Sequence, residues 1–229
     1  MRLLVLAVSL SALAAGSFWT LTEGPLAPSP TEIGTGDTVV ASPAISVSER
    51  PARPASPERP PVQERLRHET YAVTGRTADA VLRSLVERGP RAEGDVFFGL
   101  TQTELDVRYN PTPVSGGCLI EGTEVDLDVV VTLPEWLPAG DVDPALLHDW
   151  SRFRRSLSQH EHRHRVIALG GAEAAYKEVA GLYRSSCEAA VAEARGRLER
   201  LGIEISAAHR RYDSETGHGK TEGAVWPVR

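Results

Sequence analysis

Seven side chains between Leu146 and Ile167 recur at the spacing of one helix face, and two of them are histidines. They are separated alternately by four and three residues: Leu146, Trp150, Phe153, Leu157, His160, His164 and Ile167. This spacing predicts a helix whose buried stripe contains two imidazoles. Asp143 and Pro144 precede the stripe, and because aspartate caps helices and proline is favoured at their first position, we expect the helix to begin there.

A second stripe with the same spacing follows, after the pair Gly170–Gly171, which either ends the first helix or only softens it. Its members are Tyr183, Cys187, Ala190, Ala194, Leu198, Leu201 and Ile205. Two amphipathic stripes of this length predict two long helices packed as a hairpin. If the hairpin turns near residues 182 and 183, His160 and His164 stand level with about residues 205 and 201.

The region before these helices has the signals of a small sheet. Alternation from His68 to Val73 predicts a strand, and residues 78–88 carry apolar side chains at helical spacing up to Gly89. The segments Phe97–Arg108 and Cys118–Leu133 are rich in β-forming residues and predict further antiparallel strands. The predicted fold class is therefore α+β, a small antiparallel sheet with a short helix packed on the long two-helix hairpin.

The chemistry of the chain centres on His160, Glu161 and His164, which form an HExxH motif. Histidines four apart lie about one helical turn from each other, so two imidazole nitrogens can bind one zinc ion. Glu161 then lies beside the metal, where its carboxylate can take a proton from metal-bound water. The motif predicts zinc as cofactor, with His160 and His164 as ligands and Glu161 as general base.

Two features separate this motif from a solvated, histidine-rich helix face. His160 and His164 continue the apolar stripe, where imidazoles without a ligand would need other partners for their polar nitrogens. His162 lies about 200° around the helix from this stripe, so we expect it to point outward. The zinc site therefore remains the favoured interpretation.

A catalytic zinc site needs a third protein ligand, which the motif does not supply. An extended metzincin motif would need glycine and histidine where Ile167 and Gly170 stand. Of the glutamates that a gluzincin could use, at 178, 188 and 193, the first two lie on the order of 25 Å along the hairpin from the histidines. The C-terminal end is favoured instead, and its candidates are His209, Asp213, Glu215 and His218. Asp213 also suits an outer hydrogen bond to a ligand histidine, and the Tyr212 hydroxyl suits an oxyanion, although a buried structural tyrosine is the alternative.

Several of these motifs together resemble a bacterial family of predicted secreted zinc-dependent proteases. The resemblance extends from Tyr71 to Gly219. It includes the Gly89–Pro90 turn, Cys118, Leu133–Trp136, the HExxH helix, Cys187 and the closing pattern Tyr-Asp-x-x-Thr-x-His-Gly. It implies a zinc peptidase in which His218 of the closing pattern is the third ligand. His218 is also a neutral nitrogen donor with a glycine on each side, and we predict it as that ligand.

Cys118 and Cys187 are the two cysteines of the chain. Zinc thiolate sites usually use closer spacing, whereas two cysteines in one exported domain usually pair. We predict a disulfide between them.

The N-terminus has the pattern of an export signal. Arg2 precedes an apolar run from Leu3 to Leu13, and Ala12–Ala14 offers a small-x-small cleavage pattern, so residues 1–15 are predicted as a signal peptide. The run is shorter than a membrane span, which leaves no stable span after cleavage. Residues 16–66, dense in proline and small residues, are predicted as a disordered linker, and residues 67–229 as the catalytic domain. The predicted location is secreted or periplasmic.

A net charge of −6 disfavours nucleic acid as a partner, because such partners select clustered Lys and Arg. The sequence therefore predicts zinc-dependent hydrolysis of protein or peptide substrates. Two alternatives remain open. One is a noncatalytic zinc-binding envelope or secreted interaction protein, against which the presence of Glu161 argues, since a structural site needs no base. The other is hydrolysis of a different bond, such as an amide in cell-wall material.

Overall fold

The computed structural model describes residues 4–11, 61–92 and 94–228. The described residues form an α+β structure, as the sequence predicts. In chain order its elements are β1 (Leu4–Ser11), β2 (Val62–Val73), α1 (Ala78–Arg88), β3 (Arg91–Ala92), β4 (Asp95–Val96), β5 (Leu100–Val114), β6 (Gly117–Trp136), α2 (Pro144–Val179), β7 (Tyr183–Arg184), α3 (Cys187–Thr216) and the 3-10 turn η1 (Lys220–Glu222).

The main sheet has the strand order β1-β5-β6-β2, with β7 paired to the start of β6. Its centre is the long antiparallel hairpin of β5 and β6, in which Leu105 lies opposite Leu127. Alternate residues of β5 are buried from Thr101 to Tyr109, so one face of the sheet contributes to the core. Strand β5 continues past Asn110, beyond the predicted end of this segment, through a register shift after Arg108.

The prediction of a purely antiparallel sheet is wrong, because β2 pairs with β6 in parallel, from Val62 opposite Val125 to Val73 opposite Trp136. Strand β2 ends at the same end of the sheet where β5 begins, and α1 with the β3–β4 hairpin connects the two strands there. Since β5 runs away from this end of the sheet and β6 runs back towards it, β2 and β6 point in the same direction. The sheet is mixed for this topological reason.

Strand β2 begins at Val62, five residues before the predicted start of the catalytic domain, and its residues 62–66 are paired with β6. Leu4–Ser11, from the predicted signal segment, forms β1 along β5. Residues 1–3 and 12–60, which contain the rest of that segment and most of the predicted linker, lie outside the described residues.

Both predicted helix starts are confirmed. Helix α1 spans Ala78–Arg88, and the side chain of its N-cap Thr77 accepts a hydrogen bond from the Ala80 amide. Helix α2 begins at Pro144, with Asp143 accepting from the Ala145 amide at 2.9 Å. These caps satisfy amides that a helix terminus otherwise leaves without partners.

Helix α2 packs on the sheet and continues through Gly170–Gly171 without a break. Phe153, Leu157 and Ala168 are buried on its inner face together with the two motif histidines. At Gly171 a β-carbon would lie 2.4 Å from Cδ1 of Ile205 in α3. The glycine therefore allows the two helices to approach closely instead of ending the first one.

Contacts between α2 and α3 run in opposite order along the two helices, from Glu178 with Arg197 to His160 with Asp213. The predicted alignment of the two helices was wrong by about two turns, since His164 lies beside His209 of α3 and not beside a residue near 201. The cause is the connection between the helices. Residues 180–186 are centred on the predicted turn, but their strand β7 pairs with β6, and α3 begins about two turns beyond the end of α2, so that Glu178 meets Arg197, ten residues into α3.

The predicted disulfide between Cys118 and Cys187 is confirmed, with an S–S distance of 2.04 Å. It joins the second residue of β6 to the first residue of α3. The sheet and the second long helix are thus covalently linked at one end of the domain.

None of the helices in the described residues has the length and apolar character needed to cross a membrane.

Candidate metal centre

Helix α2 places three functional side chains of the motif in the interior. His160, Glu161 and His164 have relative exposures of 3%, 4% and 4%. His162 and Arg163, between them, are exposed. The apolar stripe that continues from Phe153 and Leu157 is therefore the reason the histidines point inward.

Asp213 of α3 meets both histidines at a single point. Its Oδ1 lies 3.1 Å from Nε2 of His160 and 3.0 Å from Nε2 of His164, and the two Nε2 atoms are 3.3 Å apart. All three side chains are buried. Two imidazole nitrogens and one carboxylate oxygen that converge in this way can hold a metal ion.

The other ring nitrogen of each histidine has its own partner. Nδ1 of His160 lies 3.0 Å from Oε2 of Glu222, and Nδ1 of His164 lies 2.9 Å from Nδ1 of His209. If Nε2 of each ring is the donor to a metal, Nδ1 carries the proton and donates it to these partners. Both tautomers required for metal binding therefore match the surrounding hydrogen bonds.

His209 is a buried and neutral acceptor in this network. Burial lowers its pKa to about 4, and the neighbouring His164 adds to that effect. Its ring stacks on that of His164 with the centroids 5.1 Å apart. A neutral His209 can accept the His164 proton on Nδ1 while it carries its own proton on Nε2.

The carboxylates around His160 set the protonation balance of the centre. Burial opposes the charged form of His160, but Asp213, Glu161 and Glu222 together raise its pKa above the ordinary value. For Asp213, burial alone would raise the pKa, but the adjacent His160 and His164 hold it well below the usual range. Asp213 is therefore an anion at neutral pH, as a metal ligand must be.

The carboxylate of Glu161 points from α2 towards the first residues of β5. Its Oε2 accepts a hydrogen bond of 2.8 Å from the hydroxyl of Thr101. A β-carbon on Gly99 would lie 2.6 Å from its Oε1, so the backbone passes directly against the carboxylate. Burial raises the pKa of Glu161 above the ordinary glutamate value, which makes it a stronger base than a solvated carboxylate.

These groups open onto a cavity of about 430 Å³. Its polar members are His160, Glu161, His164, Asp213, His218 and Lys220, and the segment from Asp95 to Leu100 forms one wall. The remaining walls are mostly apolar: Leu157, Ala224, Val225 and Trp226. The volume is in the range of pockets that bind small ligands or segments of larger ones.

The predicted residues of the C-terminal end take different places. His218 lines the cavity with its side chain 51% exposed, and its Nδ1 lies 3.5 Å from Oδ1 of Asp213, but it is not part of the three-residue cluster. The hydroxyl of Tyr212 bonds to Glu222 at 2.9 Å and its ring stacks on His160. Glu215 is exposed. Asp213, predicted as an outer partner, is the residue that touches both histidines.

Sequence reasoning missed Thr101 and Glu222. Neither lies in a motif, and each reaches the centre only through the fold. For the two functional candidates on α3, by contrast, the sequence does contain a signal. His209 and Asp213 are four apart on α3, the same spacing as His160 and His164 on α2, and both are buried.

The family model described as Bacterial protein of unknown function (DUF922) matches residues 68–219. The chain belongs to this family. The matched range contains the motif histidines, Asp213 and His218, and ends before Glu222. The family resemblance drawn from the motifs is thus confirmed, while its description assigns no activity. No curated protein and no solved structure matches the chain.

Proposed function

We propose that this protein is a zinc-dependent hydrolase of peptide bonds, with His160, His164 and Asp213 as the metal ligands. The observation that carries the proposal is the convergence of two imidazole nitrogens and a carboxylate oxygen at 3.0 to 3.3 Å from one another. Ligands at the corners of a tetrahedron around zinc, each bonded at about 2.0 Å, lie about 3.3 Å apart. The donor set and its spacing therefore fit zinc.

Asp213 is favoured over His218 as the third ligand because it already contacts both histidines, and because α3 holds it rigidly opposite α2. Three protein ligands leave a fourth position for water or substrate, which is typical of catalytic zinc sites. His218 then has a separate task. From the cavity wall, its imidazole can donate a hydrogen bond to the substrate near Asp213.

A zinc ion held by these three residues would supply water acidic enough to yield a nucleophile near neutral pH. Glu161 would then take the proton of that water and return it to the leaving amine. Its burial and raised pKa suit this role, since a carboxylate with a low pKa accepts protons poorly, whereas one with a pKa nearer the working pH can both accept and return a proton. Thr101 and Gly99 keep the carboxylate in one orientation.

The cavity supports a polymeric substrate with apolar side chains. The Asp95–Leu100 wall begins in β4 and bends at Phe98 and Gly99, and Phe97, Phe98 and Trp226 add aromatic surface next to the metal site. Apolar side chains of a peptide can occupy such a surface. The two-helix hairpin of α2 and α3 acts in this proposal as the rigid frame of the ligands.

The disulfide supports export as the place of action. Bonds of this type form and persist in oxidising compartments and are rare in the cytosol. We propose a secreted or periplasmic protein, delivered by the predicted signal in residues 1–15.

The test uses the full chain and its Glu161→Gln variant. Metal analysis should find about one zinc per chain in both, while hydrolysis of proteins and peptides falls by about 100-fold or more in the variant. Cell-wall peptides are assayed in parallel to detect the alternative substrate class. Zinc binding without any hydrolysis by the wild type would favour the noncatalytic alternative, and absence of bound metal would overturn the proposal.

A further inference from the structure

Glu222 contacts the metal centre from outside the two long helices. It lies in η1, after the end of α3, and its Oε2 is 3.0 Å from Nδ1 of His160. The hydroxyl of Tyr212 donates to the same carboxylate, at 2.9 Å from each oxygen. One carboxylate therefore connects the imidazole of a proposed ligand to a tyrosine of α3.

The chain reaches this position through a sharp reversal after α3. Gly217, His218 and Gly219 all have positive φ angles, of 57°, 56° and 79°. A β-carbon on Gly219 would lie 3.0 Å from Cγ of His160. Glycine at this position thus lets the C-terminal strap, residues 217–226, pass directly against the His160 ring.

The far end of the strap is also fixed. The indole nitrogen of Trp226 donates to the carbonyl of Ala78 at 3.0 Å, and its ring packs against Trp150 and Phe153. The strap is therefore held on both sides of Glu222, by the reversal after α3 and by the aromatic core. This arrangement limits the positions that the carboxylate can take.

The two proposed histidine ligands have unlike outer partners. The partner of His164 is the imidazole of His209, whereas the partner of His160 is a carboxylate. A carboxylate that accepts the Nδ1 proton fixes the ring orientation and increases the electron density at Nε2 more than a neutral acceptor does. The ring of Tyr212 stacks on the His160 ring with the centroids 4.9 Å apart, and so covers one face of that imidazole.

We infer that Glu222 is a positioning residue of the metal site and that the C-terminal strap completes this site, although every proposed ligand precedes the strap. The inference rests on the proposed function, because it requires His160 to bind metal through Nε2. It assigns a role to a residue three positions beyond the range that the family model matches. Glu222 acts through His160 and touches neither metal nor substrate.

Competitive chelator titration of the full chain measures the effect as zinc affinity. Glu222→Ala should weaken zinc binding by about 10- to 100-fold, the range expected for loss of an outer partner of a ligand. Glu222→Gln, which keeps an acceptor oxygen but no charge, should lose less, and Tyr212→Phe should shift affinity in the same direction. The matched control is Glu204→Gln, an exposed glutamate of α3, whose affinity should stay within about twofold of the wild type.

Two further measurements separate positioning from a general loss of structure. Urea unfolding of each metal-free variant reports stability, and the NMR signal of the His160 Nδ1 proton in the zinc form reports the hydrogen bond itself. We expect that signal to move in Glu222→Gln while metal-free stability changes little. If Glu222→Ala does not fold, Glu222→Gln carries the test because it has nearly the same shape.

Glu222 variants with wild-type zinc affinity and an unmoved His160 signal would overturn this inference alone. Failure of the wild-type chain to bind zinc would overturn both this inference and the proposed function. Loss of affinity in Asp213→Ala but not in the Glu222 variants would leave the proposed ligands standing and remove the strap from the site.

Discussion

The hydroxyl of Thr101, on β5, donates to Oε2 of Glu161, on α2, across 2.8 Å. Both side chains are buried, with relative exposures of 2% and 4%. The orientation of the proposed base is therefore set by the sheet, and not only by the helix that carries it. This contact ties the packing of α2 on β5 to the chemistry of the site.

Replacement of Thr101 by valine should shift the pH dependence of hydrolysis. The Thr101 hydrogen bond lowers the pKa of Glu161, so its loss should raise that pKa further. Because the base must be ionised, activity should fall on the acidic side, and the acidic limb of the kcat/KM profile should move to higher pH. Thr101→Ser, which keeps the hydroxyl, should retain the wild-type profile. An unmoved limb in the valine variant would show that this bond does not tune the base.

Gly99→Ala should reduce turnover while zinc stays bound. The added β-carbon would meet Oε1 of Glu161 at 2.6 Å, so the carboxylate must rotate away from its present position. We expect a loss in kcat of about 100-fold, similar to removal of a general base. The control is Gly170→Ala on the exposed side of α2, where a β-carbon meets nothing within 4 Å. Equal activity of the two variants would mean that the site accommodates the methyl group.

Asp213→Ala and His218→Ala should separate a metal ligand from a cavity residue. Asp213→Ala should weaken zinc binding by well over the 10- to 100-fold of an outer partner, since it removes one of three ligands. His218→Ala should retain zinc affinity within about tenfold and lose turnover instead. Chelator titration and steady-state kinetics of both variants decide between the two residues. The reverse pattern of affinities would restore His218 as the third ligand.

Removal of the disulfide should affect stability more than chemistry. The double variant Cys118→Ser, Cys187→Ser should lower the free energy of unfolding by about 2 to 4 kcal/mol. Zinc stoichiometry should stay unchanged, because no proposed ligand contacts either cysteine. Denaturant unfolding compared with metal analysis of the same preparation checks both statements. Loss of zinc in a variant that is still folded would show that the disulfide also positions the ligands.

The sequence predicted the inner face of α2 correctly because helical periodicity is a local property. Apolar residues on both sides of His160 and His164 determine which way these rings point. The cysteine pairing was also predictable, since the chain has two cysteines and no competing partner. The direction of β2 was not predictable in this way, because it depends on a strand more than fifty residues away.

The role of Asp213 depended on the alignment of two helices, which periodicity leaves open. A stripe shows which face of α3 is buried, but the path of the connection sets which turn of α3 meets His160. Because residues 183 and 184 pair with β6 instead of turning directly back, that level lies at Asp213 and not at about residue 205. Glu222 was beyond prediction for a related reason. Its position depends on a reversal of the backbone at three consecutive residues with positive φ.

The disulfide and the proposed zinc site lie at opposite ends of α3, with Cys187 and Asp213 separated by roughly 39 Å of helix. The disulfide forms only when an oxidant is present, and the proposed zinc site is completed only when metal is present. A newly made chain that has met neither is held together by noncovalent contacts alone. Under the proposed function, maturation of this domain combines two unrelated chemical events, and the compartment that supplies both is where the proposed metal site is completed.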